Sequence, residues 1–261
     1  MTVPAPHREF LDDVLPKIRR DPRVAGVAVG GSIAHGEPDE YSDVDIVVVV
    51  DDAAFEAVLA ERFALIGSWA DLVAAFTGEH VGEPRLVITL TGSGLLHVDF
   101  KFVRVADFGE RTSDPKILWE RDGALTQALA AAPLAKEPLD EQWLEDRFWV
   151  WVHYAATKLG RGELFDVLGF LAFLRETVLG PLIAMRAGLA PRGVRRLEFV
   201  APDAARELQA TVCGYDAKEA ASAVLASVEL YRRWRGAVER SARAEELAVR
   251  YLADVVGAGG R

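Results

Sequence analysis

The run Asp-Val-Asp-Ile-Val-Val-Val-Val at residues 43–50 limits the folds open to this chain more than any other stretch. Its β-branched residues are poor helix formers and suit a strand covered on both faces. Such a strand needs neighbours in a sheet and helices packed over it. A smaller apolar strand, Val-Ala-Gly-Val-Ala-Val-Gly, precedes it at residues 24–30. Residues 85–91 and 95–105 flank Gly92-Ser93-Gly94 and read as a hairpin, and residues 116–119 as an edge strand. Helical spacing occupies residues 8–20, 53–62 and 68–76. The first half therefore reads as α/β (α+β), a mixed sheet with helices packed on it.

The texture changes at residues 133–140, where two prolines bracket a linker. We place one domain at 1–135 and a second at 136–261. Residues 140–159, 163–187, 202–212, 217–240 and 244–255 read as helices, which makes the second domain an all-α bundle. A Gly-rich tail follows at 257–260. The one cysteine, Cys213, cannot form an internal disulfide or a thiolate zinc site. The opening residues lack a signal-peptide core, and apolar stretches such as the one ending at Val50 fall short of a membrane span. The expectation is a cytoplasmic protein in a reducing compartment, with no membrane partner.

Net charge is −10, and the excess is local. Residues 1–138 carry 13 Lys and Arg against 23 Asp and Glu, whereas residues 139–261 carry 17 of each. An acidic domain repels a polyanion, which speaks against nucleic acid as a partner and suits metal ions or cationic small molecules.

The chemistry concentrates in one stretch. A buried strand ends in Gly30-Gly31-Ser32, where a short helix can begin with free backbone N–H groups and no side chain to keep a phosphate away. Ser32 adds a hydroxyl. After a gap of ten residues, Asp43 and Asp45 lie two apart on a strand and project to one face. Like charges that close repel unless a cation lies between them, and Mg²⁺ takes carboxylates together with substrate phosphates. Asp99, between Val98 and Phe100, faces the same polar side if the strands pair.

This combination resembles the nucleotidyltransferase superfamily of the DNA polymerase β type. Its signature is Gly-Ser, a gap, Asp-x-Asp and a later acid between apolar residues, here Gly31-Ser32, Asp43-Val44-Asp45 and Val98-Asp99-Phe100. The resemblance covers about residues 20–105, with His35 standing where close relatives often carry Arg. It implies a nucleotidyltransferase fold in which Gly31 and Ser32 hold a triphosphate and Asp43, Asp45 and Asp99 bind two Mg²⁺ ions. The acidic first half and helical second half are most similar to bacterial antibiotic nucleotidyltransferases. That implies ATP as nucleotide, an aminoglycoside or lincosamide hydroxyl as acceptor, and antibiotic resistance as the setting.

Secondary candidates lie elsewhere. Lys101, two residues after Asp99 on the same face, is a candidate phosphate contact. Tyr154 and Lys158 share a helix face and could stack a base and reach a phosphate. Glu163 and Asp166 open the next helix, and either they or Asp99 could act as general base. His7, His80, His97 and His153 have no metal-ligand spacing; Trp143, Trp149 and Trp151 read as core anchors, and residues 232–235, Arg-Arg-Trp-Arg, as a solvated helix face.

The expected enzyme is a metal-dependent nucleotidyltransferase with a helical domain closing over the first; homodimerisation is left open. Alternatives are the same transfer to a protein or RNA, and a non-catalytic NTP-binding module.

Overall fold

The computed structural model describes residues 3–135 and 138–258, so the linker's centre and the end of the Gly-rich tail lie outside the described residues. The chain divides into two compact units, Met1–Lys136 and Glu137–Arg261.

In the first unit the order is α1 (Ala5–Ile18), β1 (Val24–Val29), α2 (Gly31–His35), β2 (Val44–Val50), α3 (Phe55–Trp69), β3 (Leu72–Gly78), β4 (Glu83–Thr91), β5 (Leu96–Arg104), β6 (Lys116–Glu120) and α4 (Ala124–Ala131). The strands form a mixed sheet in the order β3-β4-β5-β2-β1-β6, with β2 and β5 parallel and the remaining pairs antiparallel. The expected hairpin is β4–β5, and the expected edge strand is β6.

One face of the sheet carries Val44, Ile46 and Val48 of β2 and Val98, Phe100 and Phe102 of β5, covered by α1 and α3. Trp69, at the end of α3, stacks on Phe102. Within the first unit, α4 packs on one end of the opposite face. There Val49 of β2 and Val103 of β5 pack with Leu125 of α4. That face carries Asp45 and Asp99 at its other end, in register with each other.

Two expectations are corrected here. Residues 68–76 do not form a helix: α3 runs on to Trp69, and Leu72–Gly78 is a strand whose Phe76 pairs with Ile88 of β4. A short apolar run does not separate helix from strand by period alone, and the ladder with β4 decides. Helix α4, which the sequence pattern does not predict, is only eight residues long, too short to show a sustained helical period.

The second unit is helical: α5 (Glu141–Gly160), α6 (Leu164–Leu174), a π-helical turn (Arg175–Leu179), α7 (Gly180–Arg186), α8 (Leu197–Val200), α9 (Pro202–Leu208), α10 (Ala217–Trp234) and α11 (Ala242–Ala258). Asp140 and Asp216 cap α5 and α10, each accepting backbone N–H bonds from the first helical turn. The stretch Leu164–Arg186 is long and apolar enough to cross a membrane by length and composition, contrary to the sequence reading; 56% of it is buried within the protein. Its Leu171, Leu174, Val178 and Leu182 sit in the bundle core.

Of the arginines at the end of α10, Arg233 is exposed as expected, whereas Arg235, one residue beyond the helix, is not on a solvated face. Arg235 is 6% exposed and pairs with the fully buried Glu145 at 3.2 Å and with Glu245 at 3.0 Å. Glu145 also accepts from Trp149 Nε1 at 3.0 Å and from the Tyr231 hydroxyl at 2.7 Å. The expected continuation of α10 to residue 240 fails for the same reason: the backbone N–H of Gly236 donates to Glu141 instead of continuing the helix. Trp149 is buried and Trp151 partly so, whereas Trp143 is an exposed residue under the Arg147 guanidinium.

Candidate active site

The turn after β1 and the start of β2 are built against each other. The backbone N–H of Gly30 donates to the Asp45 carbonyl at 2.8 Å. Gly31 has φ +55°, a left-handed conformation that favours glycine. A Cβ there would lie 2.0 Å from Asp45 Oδ2, so the bare glycine lets the carboxylate approach the turn. Beside it, Ser32 Oγ is buried with no hydrogen-bond partner among the described residues. A buried hydroxyl without a partner is costly, and a ligand oxygen would satisfy it.

Asp43 lies one residue before β2. Asp45 pairs directly with Asp99 across the parallel β2–β5 ladder. Burial raises the Asp99 carboxyl above its ordinary value, His97 opposes this through charge and a hydrogen bond, and the Asp43 charge adds to the rise. Asp43 and Asp99 therefore feel each other electrostatically. His97 Nε2 donates to Asp99 Oδ1 at 3.1 Å. That contact was legible in the alternation of His97-Val98-Asp99, which puts the imidazole and the carboxylate on one face, but metal-ligand spacing was the wrong test for it.

Among the described residues, no three His, Cys, Asp or Glu side chains are gathered closely enough to hold a metal ion by themselves. The donor set nonetheless fits Mg²⁺, a hard cation that takes one or two carboxylates and completes its shell with phosphate oxygens and water. All three acids offer oxygen, and the partnerless Ser32 hydroxyl lies on the turn against which Asp45 packs.

The other candidates are engaged elsewhere. Lys101 pairs with Glu83 at 3.0 Å. In the second unit, Lys158 pairs with Glu163 and, at 3.2 Å, with Asp166, and its ammonium lies 5.4 Å from the Tyr154 ring centre. The two acids raise the Lys158 pKa.

Within the first unit, a cavity of about 620 Å³ is lined by His7, Phe10 and Asp13 of α1 together with Ser42, Leu96 and His97; Asp43, Asp45 and Asp99 are not among its lining residues. Glu9, Asp13, Glu40 and Asp71 stand around it, and its lining includes no Lys or Arg.

With this geometry in place, the likeness to known proteins is specific in one segment. The nucleotidyltransferase domain family matches residues 11–82, which hold Gly31, Ser32, Asp43 and Asp45 and stop short of Asp99. The first unit thus carries a nucleotidyltransferase domain. No curated protein matches the sequence. Among solved structures, the chain is similar to an aminoglycoside 6-adenyltransferase from Bacillus subtilis, at 15% identity over 95% of this chain and 98% of that one, with a TM-score of 0.44. A nucleotidyltransferase-like protein from Exiguobacterium sibiricum 255-15 matches at 13% identity over 95% and 78%, with a TM-score of 0.40. A spectinomycin adenyltransferase from Enterococcus faecialis, solved with ATP and spectinomycin, matches at 12% identity over 97% and 98%, with a TM-score of 0.29.

Proposed function

We propose that the protein transfers a nucleoside monophosphate, AMP from ATP, to a hydroxyl of a small cationic acceptor of the aminoglycoside or lincosamide kind. The observation that carries this reading is the in-register pair Asp45 and Asp99 beside the Gly31-Ser32 turn. Gly31 and Ser32 hold the triphosphate, and Asp43, Asp45 and Asp99 would hold Mg²⁺. When bound, the metal supplies charge neutralisation at the phosphates and lowers the barrier to deprotonating a hydroxyl. The acceptor oxygen forms a bond to the α-phosphorus as the α–β bridging P–O bond breaks, and pyrophosphate leaves with the bond's electrons. Within the first unit, Asp99 takes the hydroxyl proton and His97 holds its carboxylate in place. The acidic excess of residues 1–138, 23 Asp and Glu against 13 Lys and Arg, supports a cationic acceptor.

The test is pyrophosphate release from ATP and Mg²⁺ across a panel of aminoglycosides and lincosamides, with Asp43→Ala as control. Release that depends on one acceptor and disappears in the variant supports the reading. Nucleotide binding without turnover on any of them removes the antibiotic acceptor and turns the search to proteins or RNA. Glu163→Gln decides the base: a fall in kcat at unchanged KM would move that role from Asp99 to Glu163.

A further inference from the structure

His7 stands apart from every motif in the chain, yet it is 1% exposed and makes a long-range bond. Its Nε2–H donates to the Ser42 carbonyl at 2.6 Å, linking α1 to the residue immediately before Asp43. The rest of the loop is held by bonds within it and by the Glu37 N–H, which donates to the Ser32 carbonyl at 2.9 Å. The Asp39 N–H donates to Ser42 Oγ at 2.9 Å, Ser42 Oγ donates to Asp39 Oδ1 at 3.0 Å, and the Tyr41 N–H donates to the same carboxylate at 3.0 Å. These bonds fix the shape of the turn; buried Pro38 and the Glu37–Ser32 bond hold its start, and the His7 bond holds its end at Ser42. The tip of the turn is open to solvent, with Tyr41 88% exposed. Movement of the Ser42 end would carry Asp43 with it, because Asp43 lies outside the β2 ladder that holds Asp45.

We propose that His7 is a positioning residue for Asp43: it clamps the Ser42 carbonyl to α1 and so fixes the distance of the first carboxylate from Asp99. This rests on the reading that the three acids bind a divalent cation. Histidine suits the task because a buried ring has only two side-chain torsions to fix and presents its N–H in a defined direction. Groups that orient a ligand without touching the metal typically change its affinity by about 10- to 100-fold.

The test uses the full chain as wild type, His7→Gln, His7→Met and Asp43→Asn. Gln and Met have similar length, and only Gln keeps a donor near the position of Nε2. Mn²⁺ binding is followed by electron paramagnetic resonance with α,β-methylene-ATP present, and amide hydrogen exchange reports on residues 37–43. His7→Met is expected to weaken Mn²⁺ binding about tenfold and to speed exchange in the loop, while His7→Gln stays within about twofold of wild type. Wild-type Mn²⁺ affinity in His7→Met, or equal losses in Met and Gln, would overturn the clamp. Should the Met variant not fold, the wild type still decides: the His7 Nε2–H resonance must shift when Mg²⁺ and the analogue are added, and an unmoved resonance counts against the proposal. Equal Mn²⁺ binding by wild type and Asp43→Asn would instead remove the cation reading, and this inference with it.

Discussion

The Asp45 carboxylate fills the space that a side chain at residue 31 would need, with Oδ2 lying 2.0 Å from the position of a Cβ on Gly31. The turn and the acid are therefore one unit of geometry. Gly31→Ala would force an L-residue into φ +55° and push Asp45 out of line with Asp99. We expect ATP–Mg²⁺ affinity to fall at least about tenfold, with a stability loss of about 1–2 kcal/mol. Calorimetric titration and thermal melting measure the two effects separately.

Asp99→Asn tests the converse. Replacing one of the mutually repelling acids removes an unfavourable interaction that the protein bears in the absence of cation. Without divalent ions the melting temperature is expected to match or exceed that of the wild type, while turnover falls about 100-fold or more. A variant both destabilised and fully active would contradict the role given to this carboxylate.

Glu83 sets a pH dependence that is independent of the site. Its hydrogen bond from Arg85, with further help from Lys101, holds its pKa at about 2 against an ordinary value of 4.5, although burial works the other way. A depressed folded-state pKa means this stabilisation is complete above pH 4.5 and is lost as the pH falls towards 2. Glu83→Gln should remove about 2 kcal/mol from the first unit at neutral pH and flatten its stability profile below pH 5. Urea unfolding at a series of pH values would show whether the two curves converge in acid.

In the second unit, Arg235→Ala leaves the fully buried Glu145 without its cation. The expected loss is about 3–5 kcal/mol, with Arg235→Lys recovering part of it. Tryptophan fluorescence during urea unfolding would follow it, since Trp149 donates to the same carboxylate.

The strands that carry the acids were legible in the sequence because β-branched runs and two-residue alternation are local signals: residues 43–50 and 95–105 contained β2 and β5, with Asp45 and Asp99 on one face as expected and Asp43, expected on the strand, one residue before it. What escaped reading depends on partners far along the chain. Residues 72–78 became a strand through pairing with β4, α10 stopped at Trp234 because Glu141 and Glu145 on α5 engage the residues beyond it, and Arg235 was buried by acids 90 and 10 residues away. The same holds at the site. The spacing of Gly31, Ser32, Asp43 and Asp45 was visible, whereas the bond from His7 to Ser42 spans 35 residues and leaves no periodic trace.

The parallel pairing of β2 with β5 also sets an order of events as the chain folds. The Asp45–Asp99 pair joins strands that are neighbours in the sheet but are separated in the chain by α3, β3 and β4. Pairing across so long a loop carries a large closure entropy and forms late relative to local contacts such as the β4–β5 hairpin. A chain emerging from the ribosome thus has the Gly31-Ser32 turn, Asp43 and Asp45 early, but under the proposed function no complete carboxylate set until β5 docks. Nucleotide and cation can reward only the finished sheet, so their binding would act as a late lock on folding rather than as a seed for it.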